Sequence, residues 1–312
     1  MSHSKGRLDH VTMNYVSHTF LKPPHVFPQE KVTEAYLHCE VLARKHYENF
    51  PVGSILIPKA LRPFIHSIYA FARTADDFAD EEEASQEVRL HNLNEWQNQL
   101  DRCFAGNASH PIFIAIEETV RRFKIPKEPF DDLLTAFRMD VTQNRFETFD
   151  HLLYYCRHSA NPVGRLVLYV FDEANQHTFS LSDNLCTGLQ LANFWQDVSL
   201  DLLKDRVYIP LEDFDRFGYT DQELRQGTHD SRFNGLIKFQ VSRTRQFFES
   251  AKPLLTSVTR RLRVELTLTW LGGMTILRKI QSGGFDTLSR RPTINGIDKA
   301  RILLTALLRG VA

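Results

Sequence analysis

Four aspartates, Asp76, Asp80, Asp197 and Asp201, form two D-x-x-x-D patterns far apart in the chain. The first sits in "YAFARTADDFADEEE", residues 69 to 83, directly after the apolar run "PFIHSIYAFA". At about 100° per residue of α-helix, Tyr69, Arg73, Asp76 and Asp80 fall within roughly 60° of one another and form one stripe. The second sits in "LCTGLQLANFWQDVSLD", where Gln190, Asn193, Asp197 and Asp201 share one face. Leu185, Leu189, Phe194, Trp195 and Val198 occupy its other faces. A helix that is apolar nearly all round except for a narrow polar line should turn that line toward a buried cavity.

A lone D-x-x-x-D is most often a solvated helix face, and "EEE" at 81 to 83 reads as solvated helix surface. Two copies on otherwise apolar helices, one with Arg73 in its stripe and one with Asn193, read as a site. Carboxylates left unpaired in a cavity are costly unless cations neutralise them, so two facing motifs imply a bound divalent metal. All-oxygen ligands favour Mg²⁺, with Mn²⁺ as the alternative, over zinc or copper. Mg²⁺ takes one or two carboxylates, several waters and substrate phosphates. The expected occupant between the motifs is therefore a diphosphate.

The elements that must hold these stripes read as helices. "QEVRLHNLNEWQNQLDRCF", "EPFDDLLTAFRMDV", "FNGLIKFQVSRTRQFFESAKPLLTSV" and "IDKARILLTALLRG" place apolar residues three and four apart. Only 14 glycines serve 312 residues, and no pair of alternating strands is joined by a tight-turn signal. Breaks near "FAGNASHP", "FKIPKEP", "HSANPVG", "YIPLEDF" and "QSGGF" look like helix ends. The reading is a single all-α domain over residues 29–312, behind an N-terminal extension, residues 1–28, that reads as disordered.

Lys+Arg and Asp+Glu both total 38, so no net field draws the chain toward nucleic acid. Cys39, Cys103, Cys156 and Cys186 are scattered singly, which suits a reducing cytosol. The N-terminus has no apolar signal region and no run reaches the length of a membrane span. The expected location is cytoplasmic, with peripheral membrane contact left open. No G-x-G-x-x-G follows a strand, the E-x-x-x-H occurrences lack di-iron spacing, and thirteen histidines show no zinc spacing. Phe71, Phe137, Phe171 and Phe194 are candidate cavity walls, and each taken singly reads more readily as ordinary core. Gly164, after Pro162 and Val163, reads either as a helix break that lets backbone approach a ligand or as a simple loop.

"IYAFARTADDFADE" and "QLANFWQDVSLDLLKDRVYIP" resemble the two signature motifs of the squalene/phytoene synthase family. That family has the isoprenoid synthase fold, a helical bundle around a central cavity. "HYENFPVGSILIPKALR", "SANPVGRLVLYVF" and "GFDTLSRRPTINGIDKARILL" resemble its bacterial hopanoid-pathway branch, the hydroxysqualene synthases. The resemblance implies that Asp76, Asp80, Asp197 and Asp201, with Asn193, hold Mg²⁺ ions that bridge to the substrate diphosphate. It implies that Arg73, Arg206 and Tyr208 contact the diphosphate, and that Tyr69, Gln190 and Asn193 line the same pocket. Lys204 reaches it by length alone. His46, Tyr47, Asn49 and Phe50 fall where relatives carry a Ser-rich, aromatic segment that closes over substrate.

Two departures bear on the reaction. Relatives that join two prenyl diphosphates commonly carry Arg and an acidic residue where this chain has Gln196 and Leu200. Fewer charges suit a site that ionises one preformed cyclopropyl diphosphate. The expected reaction is Mg²⁺-dependent conversion of presqualene diphosphate to hydroxysqualene, without NADPH, paired with an enzyme that supplies presqualene diphosphate. The alternatives are a head-to-head synthase condensing two farnesyl diphosphates and an inactive family member serving as a scaffold.

Overall fold

The computed structural model describes residues 27–45, 57–81 and 83–311, with side chains described to residue 306. Among these residues every regular element is a helix: α1 (Gln29–Lys45), α2 (Arg62–Asp80), α3 (Gln86–Phe104), α4 (Pro111–Phe123), α5 (Glu128–Thr142), α6 (Phe149–Ser159), α7 (Asn161–Val170), α8 (Gln176–Gln196), α9 (Val198–Leu203), α10 (Leu211–Phe217), α11 (Asp221–Arg225), α12 (Ser231–Ala251), α13 (Leu254–Ser257), α14 (Arg260–Ser282) and α15 (Gly296–Val311). The local sequence explains many of the starts. Proline occupies the first turn of α2, α4, α5 and α7, where its missing N–H costs nothing. Ser85, Thr148 and Asp230 accept hydrogen bonds from the first turns of α3, α6 and α12. Asn175 with Thr178 and Thr220 with Glu223 close reciprocal capping boxes on α8 and α11.

The helices bury two apolar cores. The N-terminal core draws on α1 to α5 and α7, and at its centre the fully buried Phe71 ring lies 6.1 Å from Trp96 and 5.2 Å from Phe130. Phe71 is thus core packing rather than a cavity wall. The C-terminal core is built on α8, with α12, α14 and α6 around it. Two buried indoles fasten that core: Trp195 donates to Thr244 Oγ1 at 2.7 Å and Trp270 to the Phe248 carbonyl at 2.8 Å. Phe171 packs against both cores, and Phe137 against the N-terminal one.

The first stripe lies on a single helix, α2, which ends at Asp80. Glu81 caps it in an extended conformation and Glu83 follows in a turn, both exposed, so these two acids are solvated turn and not helix. The second stripe is divided. α8 stops at Gln196, Asp197 takes φ −105° and ψ 15°, and α9 begins at Val198. The Asp197 carbonyl still accepts from the N–H groups of Leu200 and Asp201, so the break is bridged by hydrogen bonds. Gly164 lies inside α7, where a Cβ would overlap Ser182 Oγ and Cys186 Sγ. It serves the close packing of α7 on α8 and is neither a loop nor a ligand approach. Residues 1–26, most of the expected extension, lie outside the described residues; Phe27 is buried in the N-terminal core.

Phe248 shows how tightly α8 and α14 are spaced. Its fully buried ring sits against Gly188 of α8 and fills the place a Cβ on Gly273 of α14 would need. Gly273→Ala gains up to about 1 kcal/mol in helix propensity, but overpacking a closed core costs roughly 1–3 kcal/mol. The variant should therefore unfold at lower temperature and lower denaturant concentration than the parent protein. An unchanged or raised midpoint would show that the ring has room to move.

Candidate functional site

The stripes of α2 and α8/α9 meet between the two cores. On α2 the Arg73 guanidinium forks between two carboxylates, reaching Asp76 Oδ2 at 3.1 Å and Asp77 Oδ1 at 2.5 Å. One turn on, Asp80 receives Lys204 Nζ at 2.9 Å and Arg206 Nη2 at 2.6 Å. Lys204 and Arg206 follow α9, so these two ion pairs join the motif of one core to the motif of the other. On the far side Asn193 donates to Asp197 Oδ2 at 2.8 Å, and Arg291 grips the same carboxylate at 2.6 and 3.3 Å.

The turn that presents Lys204 and Arg206 is held from outside the site. Asp205, between them, adopts a left-handed conformation, φ 54°, which Asp tolerates better than most residues. Arg145 donates to its carbonyl at 2.6 Å and to its carboxylate at 2.8 Å, and Asn144 and Arg225 add contacts at 2.8 and 2.6 Å. The Arg206 N–H returns to the Asp201 carbonyl, and Val207 N–H to the Asn144 carbonyl. The two cations are thereby aimed back at α2.

Behind this turn lies Asp140 of α5, which the motif reading missed. It keeps some exposed surface, but its carboxyl is enclosed by protein and accepts the Tyr155 hydroxyl at 2.7 Å. Burial raises it to about 7, against the hydrogen bond from Tyr155 and the attraction of Arg206. Tyr208 stacks on Phe194 with ring centres 3.8 Å apart and planes 8° from parallel, and Tyr155 lies 6.0 Å from Tyr208. Burial keeps both phenols well above their ordinary range. Phe194, Asp201, Arg206 and Tyr208 line one small recess.

The remaining carboxylates show an unmet negative field. Burial raises Asp76, and the Asp80 charge raises it further. Asp201 is pushed up to about 7, first by burial and then by Asp197. For Asp80 burial acts the same way, but the bonds from Lys204 and Arg206 outweigh it and lower the net value. Six carboxylates, Asp76, Asp77, Asp80, Asp140, Asp197 and Asp201, thus stand near four cations, Arg73, Lys204, Arg206 and Arg291.

Among the described residues no three His, Cys, Asp or Glu side chains converge on one ion position, so the cluster is not an all-protein metal cage. It is a pair of carboxylate pairs, which suits an ion that takes one or two carboxylates and fills its other positions with water and phosphate oxygens. The all-oxygen donors and the like-charge elevation of Asp76 and Asp201 fit Mg²⁺. Asp76 and Asp80 on one side, and Asp197, Asp201 and Asn193 on the other, are the groups that would hold it.

Of the other candidates, Tyr69 is half-buried on α2 within the field of Arg73 and Asp76. Gln190 is half-buried on α8, and among the described residues no contact links it to the cluster. His46, Tyr47, Asn49 and Phe50 lie outside the described residues. Gln196 donates to the Pro292 carbonyl at 2.6 Å, while Leu200 is exposed. The same segment carries Arg291, a second residue that spacing did not reveal. Its signal was the "SRRP" pair in the C-terminal stretch, whose partner is far away in sequence. A separate cleft of about 340 Å³, lined by Asn161, Gln176, Asp183, Thr187 and Phe247 among others, contains none of these carboxylates.

The squalene/phytoene synthase family model matches residues 43–298. The chain is 30% identical over 290 residues to phytoene synthase of Arthrospira platensis, covering 89% of this chain and 94% of that protein. It is 30% identical to 15-cis-phytoene synthase of Synechocystis over 298 residues, covering 92% and 88%. The crystal structure of squalene synthase HpnC from Alicyclobacillus acidocaldarius superposes with a TM-score of 0.79 at 38% identity, covering 83% of this chain and 97% of that one. A dehydrosqualene synthase in complex with ligand superposes with a TM-score of 0.81 at 22% identity, covering 91% and 99%, a likeness of fold. With its two aspartate motifs facing each other across one helical bundle, the chain is a member of the squalene/phytoene synthase family.

Proposed function

We propose that the protein is a Mg²⁺-dependent enzyme that converts presqualene diphosphate to hydroxysqualene. The observation that carries the reading is the cluster in which two carboxylate pairs face one another with Arg73, Lys204, Arg206 and Arg291 between and around them. Such a set neutralises a diphosphate and stabilises it as it departs. Held by Asp76, Asp80, Asp197, Asp201 and Asn193, Mg²⁺ would add positive charge at the leaving oxygens.

The rest falls to the protein's own side chains. Each cation rests on a carboxylate and can exchange that partner for a phosphate oxygen, so binding substitutes one set of ion pairs for another. Ionisation breaks the carbon–oxygen bond, and the electron pair leaves with the diphosphate. Phe194 and Tyr208 form a stacked aromatic wall beside the recess, an unreactive surrounding that suits a cyclopropylcarbinyl cation that must not react with its container. Opening of the ring with addition of one water and loss of a proton gives hydroxysqualene. Bulk water must be excluded until then.

Two features support this branch. The likeness to the structure named squalene synthase HpnC is 38% in identity. Gln196 and Leu200, which replace charged residues common in condensing relatives, bring no charge to the cluster; Gln196 donates to the Pro292 carbonyl and Leu200 is exposed. A second reading, condensation of two prenyl diphosphates, is favoured by Arg291, which returns a cation to Asp197, and by the likeness to phytoene synthases.

Products decide between the two. With Mg²⁺ alone the purified protein should turn presqualene diphosphate into hydroxysqualene, and NADPH should change neither rate nor product. Consumption of farnesyl diphosphate without a partner enzyme would establish the second reading instead. Asp80→Asn or Asp197→Asn should lower turnover by several orders of magnitude in a folded protein, and near-normal turnover would remove the metal role.

Arg291 has a narrower signature. Loss of a charge-assisted hydrogen bond costs roughly 1.5–3 kcal/mol, so Arg291→Gln should lower kcat/KM about tenfold to a hundredfold, with partial recovery in Arg291→Lys. Unchanged kinetics would confine Arg291 to holding Asp197.

Asp140 makes a prediction about pH. Its carboxyl is raised from about 4 in the unfolded chain to about 7 in the fold, so the folded state binds the proton more tightly. Its contribution to stability is full below about pH 4 and is lost as the pH rises toward about 7. Asp140→Asn keeps an acceptor for Tyr155 but cannot ionise. Metal-free denaturation curves should show the variant losing less stability than the parent between these limits, whereas parallel pH profiles would mean that Asp140 is ionised throughout.

A further inference from the structure

The solvent side of α15 is apolar where a surface helix is usually polar. Ile297, Ala300 and Leu304 follow the spacing i, i+3, i+7, with Leu303 beside them, and all four are exposed; Ile297 is 80% and Leu304 61% exposed. The opposite side of the same helix is already in use. Ala306 is fully buried in the C-terminal core, Ile302 packs against it, and Asp298 is held by Lys279 of α14 at 2.8 Å. An ordinary amphipathic helix has one apolar face, but α15 has two.

The outer face has charged borders of one sign. Lys299 and Arg301 lie on its two flanks, both are exposed, and among the described residues neither has an ion-pair partner. The face also begins close to the reaction site. Arg291 is fixed on Asp197, and Gly296 follows five residues later, no more than about 18 Å away along an extended chain.

We propose that the outer face of α15 docks the protein on an anionic lipid bilayer. Apolar side chains bordered by cations are the pattern of a helix lying in the membrane interface, where the apolar face enters the acyl boundary and the cations meet lipid phosphates. No helix among the described residues is long and apolar enough to cross a membrane, so the contact is one of surface. Charge favours lipid over a second copy of this chain and over residues 1–26. A second copy of this chain would bring a like-charged border to the same face. Residues 1–26 carry Lys5, Arg7 and Lys22 against Asp9, an excess of the same sign. The docked face stands whether or not the reaction proposed above is right.

The test is flotation of the full-length protein with phosphatidylcholine vesicles, with and without phosphatidylglycerol. The protein should float with the anionic vesicles and release at high salt. Leu304→Glu should weaken binding about tenfold or more by removing one buried Leu, and should leave the melting temperature unchanged. Lys299→Gln and Arg301→Gln should each weaken it roughly fivefold, the worth of one charge near an anionic surface. Failure to float, or equal flotation by Leu304→Glu, would overturn the proposal. A parent dimer that Leu304→Glu makes monomeric would assign the face to a second copy. A large fall in melting temperature for that variant would assign it to segments of the chain outside the described residues. None of these outcomes bears on turnover with detergent-dispersed substrate, so the reaction and the docking surface fail separately.

Discussion

The constraint on which the rest of this molecule depends is electrostatic: a concentration of carboxylates must be held between two apolar cores without driving them apart. Six acids near four bases leave an excess of negative charge, and the effect is visible where burial and Asp197 push Asp201 up to about 7. Asp80 escapes because Lys204 and Arg206 cross from the other core to meet it. Those two bonds are the direct link between the motifs. Isolated ion pairs of this exposure contribute little stability, so their value lies in registration. They set which part of α9 faces which part of α2.

The architecture around this cluster serves the same end. Each motif is carried by a helix rooted in its own core, α2 through Phe71 and α8 through Trp195. The core contacts are close and directional, as the indole bonds and the Phe248 wedge show, so the carboxylates stand on rigid supports. Three of the four cations, Lys204, Arg206 and Arg291, instead reach in on long side chains from turns and loops. That division, fixed anions and cations on long side chains, suits the diphosphate site proposed above.

The all-α character was legible because apolar residues recur at helical spacing in almost every long stretch. The carboxylate stripes were legible because a polar line on an otherwise apolar helix has few explanations. The break at Asp197 was not, since no Gly or Pro marks it; the signal of helix continued through it. Asp140 and Arg291 were missed for a different reason. Each is a single charged residue that acquires meaning only from a partner distant in sequence, Tyr155 and Arg206 for one and Asp197 for the other. Gly164 misled because Pro-x-Gly reads locally as a breaker, whereas the neighbouring helix demanded the small residue. Local pattern reveals faces and periods, while pairing across the fold has to be seen.

The turn at Asp205 bears on how sequence variation in this chain is to be interpreted. Arg145, Asn144 and Arg225 never reach the carboxylates, yet they hold the left-handed residue that separates Lys204 from Arg206. A survey of natural variants scored by turnover alone would group these scaffold residues with the ones proposed to grip diphosphate. A substitution at Arg145 is better understood as a loss of aim: the cations survive, but the lever that points them at α2 does not. Pathogenic, adaptive and engineered changes at such a lever would all look catalytic from the outside, and only a measure of local geometry would tell them apart.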